Sequence, residues 1–274
     1  MLPRLSVIVL QYNKPDLTRE CLWSFFDLCG TGHEVVLVDN ASTDPLAAGV
    51  ADAFPPVRMI RRARNDGFGA GNNEGARNAH GDILLLLNND TVTAMDFVTP
   101  VLEFFAAHPA AGIAGPRILN PDGSLQLSCG QLPSFGREFA DKLVAHGMER
   151  SWGPARAWAR RTHASAHRTG WVTGAALFIR ADLFRKMGGF DPAYFMFFED
   201  KDLCLRAAEA GMETWYLPEA AVVHHRGSSG NEFTERQYRA SQLHYYRRHR
   251  PTWEQWMVER YHRLRGWDAI EVDR

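Results

Sequence analysis

Two patterns of apolar and polar positions alternate along the first half of the chain. Continuous apolar runs occur in LSVIVLQ (5–11), EVVLVDN (34–40) and DILLLLNND (82–90), with a weaker one in VRMIRR (57–62). Such runs predict strands covered on both faces. Between them the apolar residues change period. Leu17, Cys21, Leu22, Phe25 and Phe26 recur at helical spacing, and STDPLAAGVADAF (42–54) opens with a Ser-Thr-Asp-Pro start signal. GAGNNEGARNAHG (69–81) reads as a helix closed by Gly81. Strands alternating with helices predict βαβ units and a mostly parallel sheet.

The second half is less regular. AMDFVTPVLEFFAAHP (94–109) reads as a helix with a proline near its middle, AGIAGPRIL (111–119) as a strand, and NPDGSLQ (120–126) holds an Asp-Gly turn. Residues 130–170 show no clean period. WVTGAALFIRADLFRKMGGF (171–190) returns to strand then helix, and FEDKDLCLRAAEAG (198–211) is a helix that Gly211 stops. METWYLPEAAVVHH (212–225) ends the ordered core, and residues 235–264 form helices broken near Pro251.

Composition narrows the class. With 45% hydrophobic and 23% charged residues and a net charge of −1, the chain reads as an ordinary globular protein and not as a nucleic-acid binder. The charge is uneven: Arg58, Arg61, Arg62 and Arg64 cluster without an acid, and nine arginines face four glutamates between Arg226 and Arg265. Cys21, Cys29, Cys129 and Cys204 form no CxxC and read as core thiols of a reducing compartment. The apolar start is too short for a membrane span and lacks a cleavage site, which predicts a cytoplasmic protein, at most peripheral to the membrane.

Candidate chemistry collects where the predicted strands end, the edge at which open parallel sheets bind ligands. Tyr12 and Asn13 follow the first strand, Asp39, Asn40 and Ser42 the second, RNDGFGAGNN (64–73) the third, and Asn88-Asn89-Asp90 the fourth. Four apolar-to-polar switches on one edge point to a polar ligand cleft. The glycines 67, 69, 71 and 75 do not match a dinucleotide fingerprint, whose third glycine would fall on Asn72 and whose place is after the first strand. They read as positions where backbone approaches a sugar or phosphate at a helix start. Asp90 is either a ligand for a hard divalent cation or a helix cap. Glu199, Asp200 and Asp202 stand behind Phe195, Phe197 and Phe198. They are either dipole-favoured acids or a poorly solvated general base. His224 ends an apolar run, as a core histidine or a metal ligand.

Taken together, SVIVLQYNKPDLTRECLWSF, EVVLVDNASTD, NDGFGAGNNEGARNAHGDILLLLNNDT, GAALFIRADLFRKMGGFDPAYFMFFEDKDLCLRAAEAG and LPEAAVVHHRGSSG resemble the family-2 inverting glycosyltransferases of GT-A fold. The spelling is most similar to the rhamnosyltransferase-like and galactofuranosyltransferase-like subset of bacterial cell-surface polysaccharide assembly. The resemblance runs from Leu5 to Gly230, loosely over 120–170. It implies an α/β Rossmann-like sheet flanked by helices in a catalytic domain of residues 1–230, with a nucleotide-binding half (1–116) and an acceptor-binding half (117–230). Residues 231–274 are then a basic, aromatic helical extension.

The resemblance also implies roles. Asp39 matches the acid that reads the nucleotide base, with Tyr12, Asn13 and Asn40 lining that pocket. Asn65, Asp66, Gly67, Gly69 and Asn72 match the ribose and diphosphate segment. Asn88-Asn89-Asp90 stands where the family has D-x-D; Asn88 replaces the first acid, leaving Asp90, with His224, to hold Mg²⁺ or Mn²⁺. Asp200 matches the catalytic base and Glu199 its acidic neighbour; Gly174 and Ala175 match the acceptor-side wall. The implied reaction moves a sugar from a nucleotide-diphosphate donor, dTDP-rhamnose or a UDP-sugar, to a saccharide, lipid-linked or other hydroxyl acceptor. Three alternatives compete. A sugar-1-phosphate nucleotidyltransferase wants a Gly-rich basic loop where QYNKPD stands, and an NAD-dependent oxidoreductase wants its fingerprint there. A catalytically inactive nucleotide-sugar or glycan-binding module would keep the fold alone. The extension packs on the core, packs on a second subunit as a homodimer, or touches a membrane.

Overall fold

A computed structural model describes residues 2–225 and 232–267. The chain opens with β1 (Leu5–Gln11), α1 (Pro15–Cys29) and β2 (Glu34–Asp39), then β3 (Val57–Arg61), α2 (Phe68–Arg77) and β4 (Ile83–Asn88). A short β5 (Thr91–Thr93) precedes α3 (Val98–Ala107), β6 (Ala111–Leu119), β7 (Leu125–Gln126) and β8 (Cys129–Gly130). A helical hairpin follows, α4 (Phe135–Glu149) and α5 (Gly153–Thr162), then β9 (His167–Arg168), β10 (Trp171–Val172), β11 (Ala176–Arg180) and α6 (Ala181–Lys186). The described chain closes with α7 (Glu199–Glu209), β12 (Glu213–His224), α8 (Glu232–His249) and α9 (Thr252–Leu264).

The main sheet runs β3-β2-β1-β4-β11-β6-β12-β5. β1, β2, β3 and β4 are mutually parallel, so their polar carboxyl ends share one edge. β11 runs antiparallel between β4 and β6, and β12 returns parallel to β6. β4 shows why its sequence is so apolar. Ile83, Leu85 and Leu87 join the core on one face, while Leu84 and Leu86 join the core on the other. Each such burial contributes about 1.5–3 kcal/mol. The glycines of α2 serve this packing: a Cβ on Gly71 would run into Leu10 and one on Gly75 into Ile8, both on β1. Gly69 likewise lies against Phe190. These glycines permit the close approach of α2 to β1 and to Phe190.

Three further segments differ from expectation. Residues 45–53 form two short 3₁₀ turns, Pro45–Gly49 and Ala51–Ala53, because Pro55 and Pro56 disfavour helix just ahead of them. α3 starts only at Val98, where Asp96 Oδ1 accepts the N–H groups of Val98 (3.0 Å) and Thr99 (3.1 Å). Pro100 thus sits in the first turn, where its missing N–H costs nothing. The unplaced stretch 130–170 is largely the α4–α5 hairpin, which buries only Gly147 on α4 and Ala155 and Ala159 on α5. Small buried residues leave no apolar stripe to read. The helices after residue 231 do break at Pro251, and they pack on the core: Tyr245, Tyr246 and Val258 cluster with Tyr194 and Phe198. The expected boundary at residue 230 lies outside the described residues. All four cysteines are free thiols, with Cys21, Cys129 and Cys204 buried. No described helix is long and apolar enough to cross a membrane.

Candidate active site

The donor-side edge is a lattice of hydrogen bonds. Asp39 ends β2 fully buried, its carboxylate accepting Ser42 N–H (3.2 Å) and Arg61 Nε–H (3.1 Å). Asn40 donates to Asn65 Oδ1 (2.7 Å) and the Gly67 carbonyl (3.2 Å), and accepts from Arg62 (2.6 Å). Arg62 and Arg64 both hold Asp66, at 2.9 and 2.7 Å. Asn13, at φ +56°, spends its Oδ1 on the N–H groups of Thr43 (2.9 Å) and Asp44 (3.0 Å). Asn89 donates to Thr18 of α1 at 2.9 Å. Asn13 and Asn89 therefore shape the edge by fixing loops. Tyr12 is half exposed at its rim, and Asn72 is buried with its Oδ1 lacking a hydrogen-bond partner among the described residues.

At the end of β4, Asp90 Oδ1 lies 3.1 Å from His224 Nε2, and Asn88 Nδ2 lies 3.5 Å from the same nitrogen. The other ring nitrogen, Nδ1, meets Gln126 Oε1 at 2.8 Å. Gln126 is itself oriented, because its Nε2 donates to Asn120 Oδ1 (3.1 Å). His224 thus carries its hydrogen on Nδ1, and its Nε2 lone pair is aimed at a carboxylate oxygen. Two lone pairs at 3.1 Å are satisfied by a proton or a metal ion between them. Among the described residues no three His, Cys, Asp or Glu side chains cluster at metal-binding geometry. A cation here would draw its remaining ligands from elsewhere, as Mg²⁺ does from phosphates and water.

The acids of α7 are reached from this point in two hydrogen bonds. Asn88 N–H donates to the Ala175 carbonyl (2.9 Å), and the neighbouring Gly174 N–H donates to Asp200 Oδ2 (3.1 Å). Gly174 is wedged between Phe68 and Asp200, and a Cβ there would stand 3.2 Å from the Phe68 ring. The turn ahead of α7 is strained. Phe197 and Phe198 both adopt left-handed φ, +69° and +65°. Each costs about 1–3 kcal/mol, and such strain gathers at functional sites. The aromatic cluster of α8 and α9 holds it, with Ser241 donating to the Met196 carbonyl at 2.7 Å. Gly67, at φ +94°, presses on the Phe195 backbone, and Phe68 N–H donates to the Phe195 carbonyl (2.7 Å). The donor loop and the acid loop are thereby tied together.

The three acids differ in electrostatics. Burial, then the charge of Asp200, pushes Glu199 up to about 8. Burial also raises Asp200, against the Lys201 charge and the N–H groups of Gly174 and Lys201. For Asp202, burial is outweighed by the His249 hydrogen bond (2.7 Å) and by Arg206 (2.7 Å), and its carboxyl falls below the usual range.

The sequence pattern of the family described as "Glycosyl transferase family 2" matches residues 6–187. The chain belongs to this glycosyltransferase family. It is 33% identical over 216 residues to the N-acetylglucosaminyl-diphospho-decaprenol L-rhamnosyltransferase of Mycobacterium tuberculosis, covering 71% of this chain and 67% of that one. It is 29% identical to the O-antigen biosynthesis protein RfbC of Myxococcus xanthus over 83% of this chain and 18% of that protein. Its fold is GT-A: the mannosyltransferase PcManGT from Pyrobaculum calidifontis, solved with GDP-Man and Mn²⁺, superposes with TM-score 0.63 at 19% identity, covering 95% of this chain and 70% of that one. Family membership displaces the nucleotidyltransferase and oxidoreductase readings.

Sequence reasoning missed three positions in this glycosyltransferase. Arg61 and Arg62 bind Asp39 and Asn40, and the acid-free arginine run just before Asn65-Asp66 was their signal. Gln126, beyond an Asp-Gly turn, orients His224 across 98 residues, and no local pattern announces it.

Proposed function

We propose that this glycosyltransferase moves a sugar from a nucleotide-diphosphate donor, dTDP-rhamnose or a UDP-sugar, to an acceptor hydroxyl with inversion at the anomeric carbon. The carrying observation is Asp200: a buried carboxylate pinned by two backbone N–H groups, through Gly174 N–H (3.1 Å) and Lys201 N–H (2.8 Å). Each oxygen keeps a second lone pair. One of them takes the acceptor proton as that oxygen attacks the face of the sugar opposite the diphosphate. Burial keeps the base poorly solvated and raises its basicity. Asp39, Asn40, Asn65 and Asp66 hold the nucleotide, and Gly174 and Ala175 leave room beside the donor sugar.

Asp90, His224 and Asn88 are suited to a divalent ion, Mg²⁺ or Mn²⁺, because a carboxylate oxygen and an imidazole lone pair already converge at 3.1 Å. Such an ion, when bound, supplies charge neutralisation for the leaving diphosphate. PcManGT with GDP-Man and Mn²⁺, and the mycobacterial relative named for a rhamnosyl transfer to a sugar-diphosphate lipid, support this reading of donor, metal and acceptor class. The test is incubation with a panel of nucleotide-sugars, Mn²⁺ and sugar-diphosphate acceptors, with the product anomer read by NMR. An inverted linkage is expected. Retention of configuration, or no nucleotide release from any donor, overturns the proposal.

A further inference from the structure

Next to the acids lies a cavity that none of the candidate donor-side residues borders. It holds about 550 Å³ between the α4–α5 hairpin and the β8–β10 ribbon. A larger hollow of about 770 Å³ opens at the hairpin's other side, but none of the candidate site residues borders it. The smaller one is bordered by Lys201, the residue after Asp200, and by Trp171, three residues before Gly174, whose N–H holds the Asp200 carboxylate. Its volume falls in the range of pockets for small ligands.

The walls have two chemistries. Trp158 and Trp171 present indole surface to the space. Lys201 Nζ stands 4.2 Å from the Phe198 ring centroid and 4.9 Å from that of Trp171. Neither Lys201 nor Arg137, which also borders the cavity, has a carboxylate within 4 Å among the described residues, whereas Lys142 is 3.9 Å from Glu138. Both cations act at longer range on one half-buried acid of the same cavity, Asp141. Burial raises the Asp141 carboxyl, and the charges of Arg137 and Lys201 oppose the shift. A cation resting on two aromatic faces gains about 0.5–2 kcal/mol. A charge-assisted hydrogen bond to phosphate adds more than a neutral one and fixes geometry. Indole faces offer flat apolar area with a polar edge, the match for the C–H face of a pyranose.

We propose that this cavity is the acceptor subsite and that it takes a pyranose carrying a phosphate or diphosphate. The ring lies against Trp171 and Trp158, and the phosphate sits on Lys201 and Arg137. The inference rests on Asp200 being the base of the transfer, since the cavity delivers a sugar hydroxyl to it.

The test is calorimetric titration of the full chain with N-acetylglucosamine 1-phosphate, with free N-acetylglucosamine and with inorganic pyrophosphate. Wild type is compared with Lys201→Met, Arg137→Met and Trp171→Leu, and UDP and dTDP with Mn²⁺ are titrated in parallel. The sugar phosphate is expected to bind wild type at least about tenfold tighter than the free sugar, and to weaken by about tenfold or more in Lys201→Met and Trp171→Leu. Nucleotide affinity stays unchanged in all variants. Equal sugar-phosphate affinity across wild type and variants overturns the subsite. So does displacement of the sugar phosphate by nucleotide and Mn²⁺, which would put it on the donor edge. A wild type that binds nucleotide but no sugar phosphate sinks the subsite alone, while one that binds no nucleotide sinks the transferase reading beneath it.

Discussion

Two acidic places in this glycosyltransferase treat their carboxylates in opposite ways. At the end of β4, Asp90 is set against the lone pair of His224 Nε2, 3.1 Å away, in an arrangement suited to the proposed cation. At the start of α7, Glu199 and Asp200 are buried side by side with no arginine ion-paired to either among the described residues. At the second, burial raises both carboxyls, and the charge of Asp200 raises Glu199 further. Asp202, in the same helical turn, is a built-in control. It is just as buried, yet Arg206 and His249 pair with it and it falls low. Burial alone therefore does not raise a carboxyl; burial without a hydrogen-bonded cationic partner does.

The largest effect should come from removing the unpaired acid. Asp200→Asn keeps the volume and removes the proton acceptor, so kcat should fall by about 10²–10⁴-fold with nucleotide affinity unchanged. Steady-state rates beside nucleotide titration measure both, and a normal kcat breaks the contrast outright. Asp202→Asn should do the reverse. It strands Arg206 and His249 around a lost charge and should cost about 3 kcal/mol of stability. The urea midpoint should drop, with kcat per folded molecule kept within a few-fold. Because the Asp202 carboxyl is depressed, its contribution is present above the ordinary carboxyl range and is lost as pH falls through the lower folded value.

The sequence exposed one of these places better than the other. The parallel strands were legible because residues such as Leu84–Leu87 are buried on both faces and leave an unbroken run. The polar ends followed from that. Asp90 and His224 were visible singly, as a strand-end acid and a histidine closing an apolar run, but their joint role came only from the family motifs, since the 134-residue gap between them closes through pairing of β12 with β5. The acids of α7 were visible as residue types, but what separates Asp200 from Asp202 is Arg206 on one side and His249 from α8 on the other. The α4–α5 hairpin was illegible for a packing reason: Phe139 and Leu143 are exposed while glycine and alanine are buried, the inverse of the usual pattern.

A milder perturbation sharpens the β4 side. Gln126→Leu leaves Asp90 and His224 in place but removes the acceptor that keeps hydrogen on His224 Nδ1. Mn²⁺ affinity in the presence of nucleotide should weaken by about 10–100-fold. Calorimetry or electron paramagnetic resonance of free Mn²⁺ reads this without turnover. Gln126→Glu keeps an acceptor oxygen and should restore most of the affinity. If Leu and Glu variants bind Mn²⁺ like wild type, the ring is held by other means.

The smallest effect concerns which acid keeps the shared proton. Asp200 accepts two backbone N–H groups, while Glu199 Oε2 is buried with no hydrogen-bond partner among the described residues. Asp200 therefore ionises first and Glu199 holds the proton up to about 8, against an ordinary value of 4.5. Across that window the unfolded chain has already released a proton that the folded chain retains. Stability must then fall as pH rises. Glu199→Gln removes this penalty and the repulsion behind it. Its melting temperature relative to wild type should show little gain near pH 4.5, rise through neutrality, and level off above pH 8. The acidic limb of the kcat profile should stay in place, because the neighbour that Asp200 loses is already uncharged there. A melting difference that is flat from pH 4.5 to 8 would mean that Glu199 is ionised in the fold, and the proton would have to be placed on Asp200 instead.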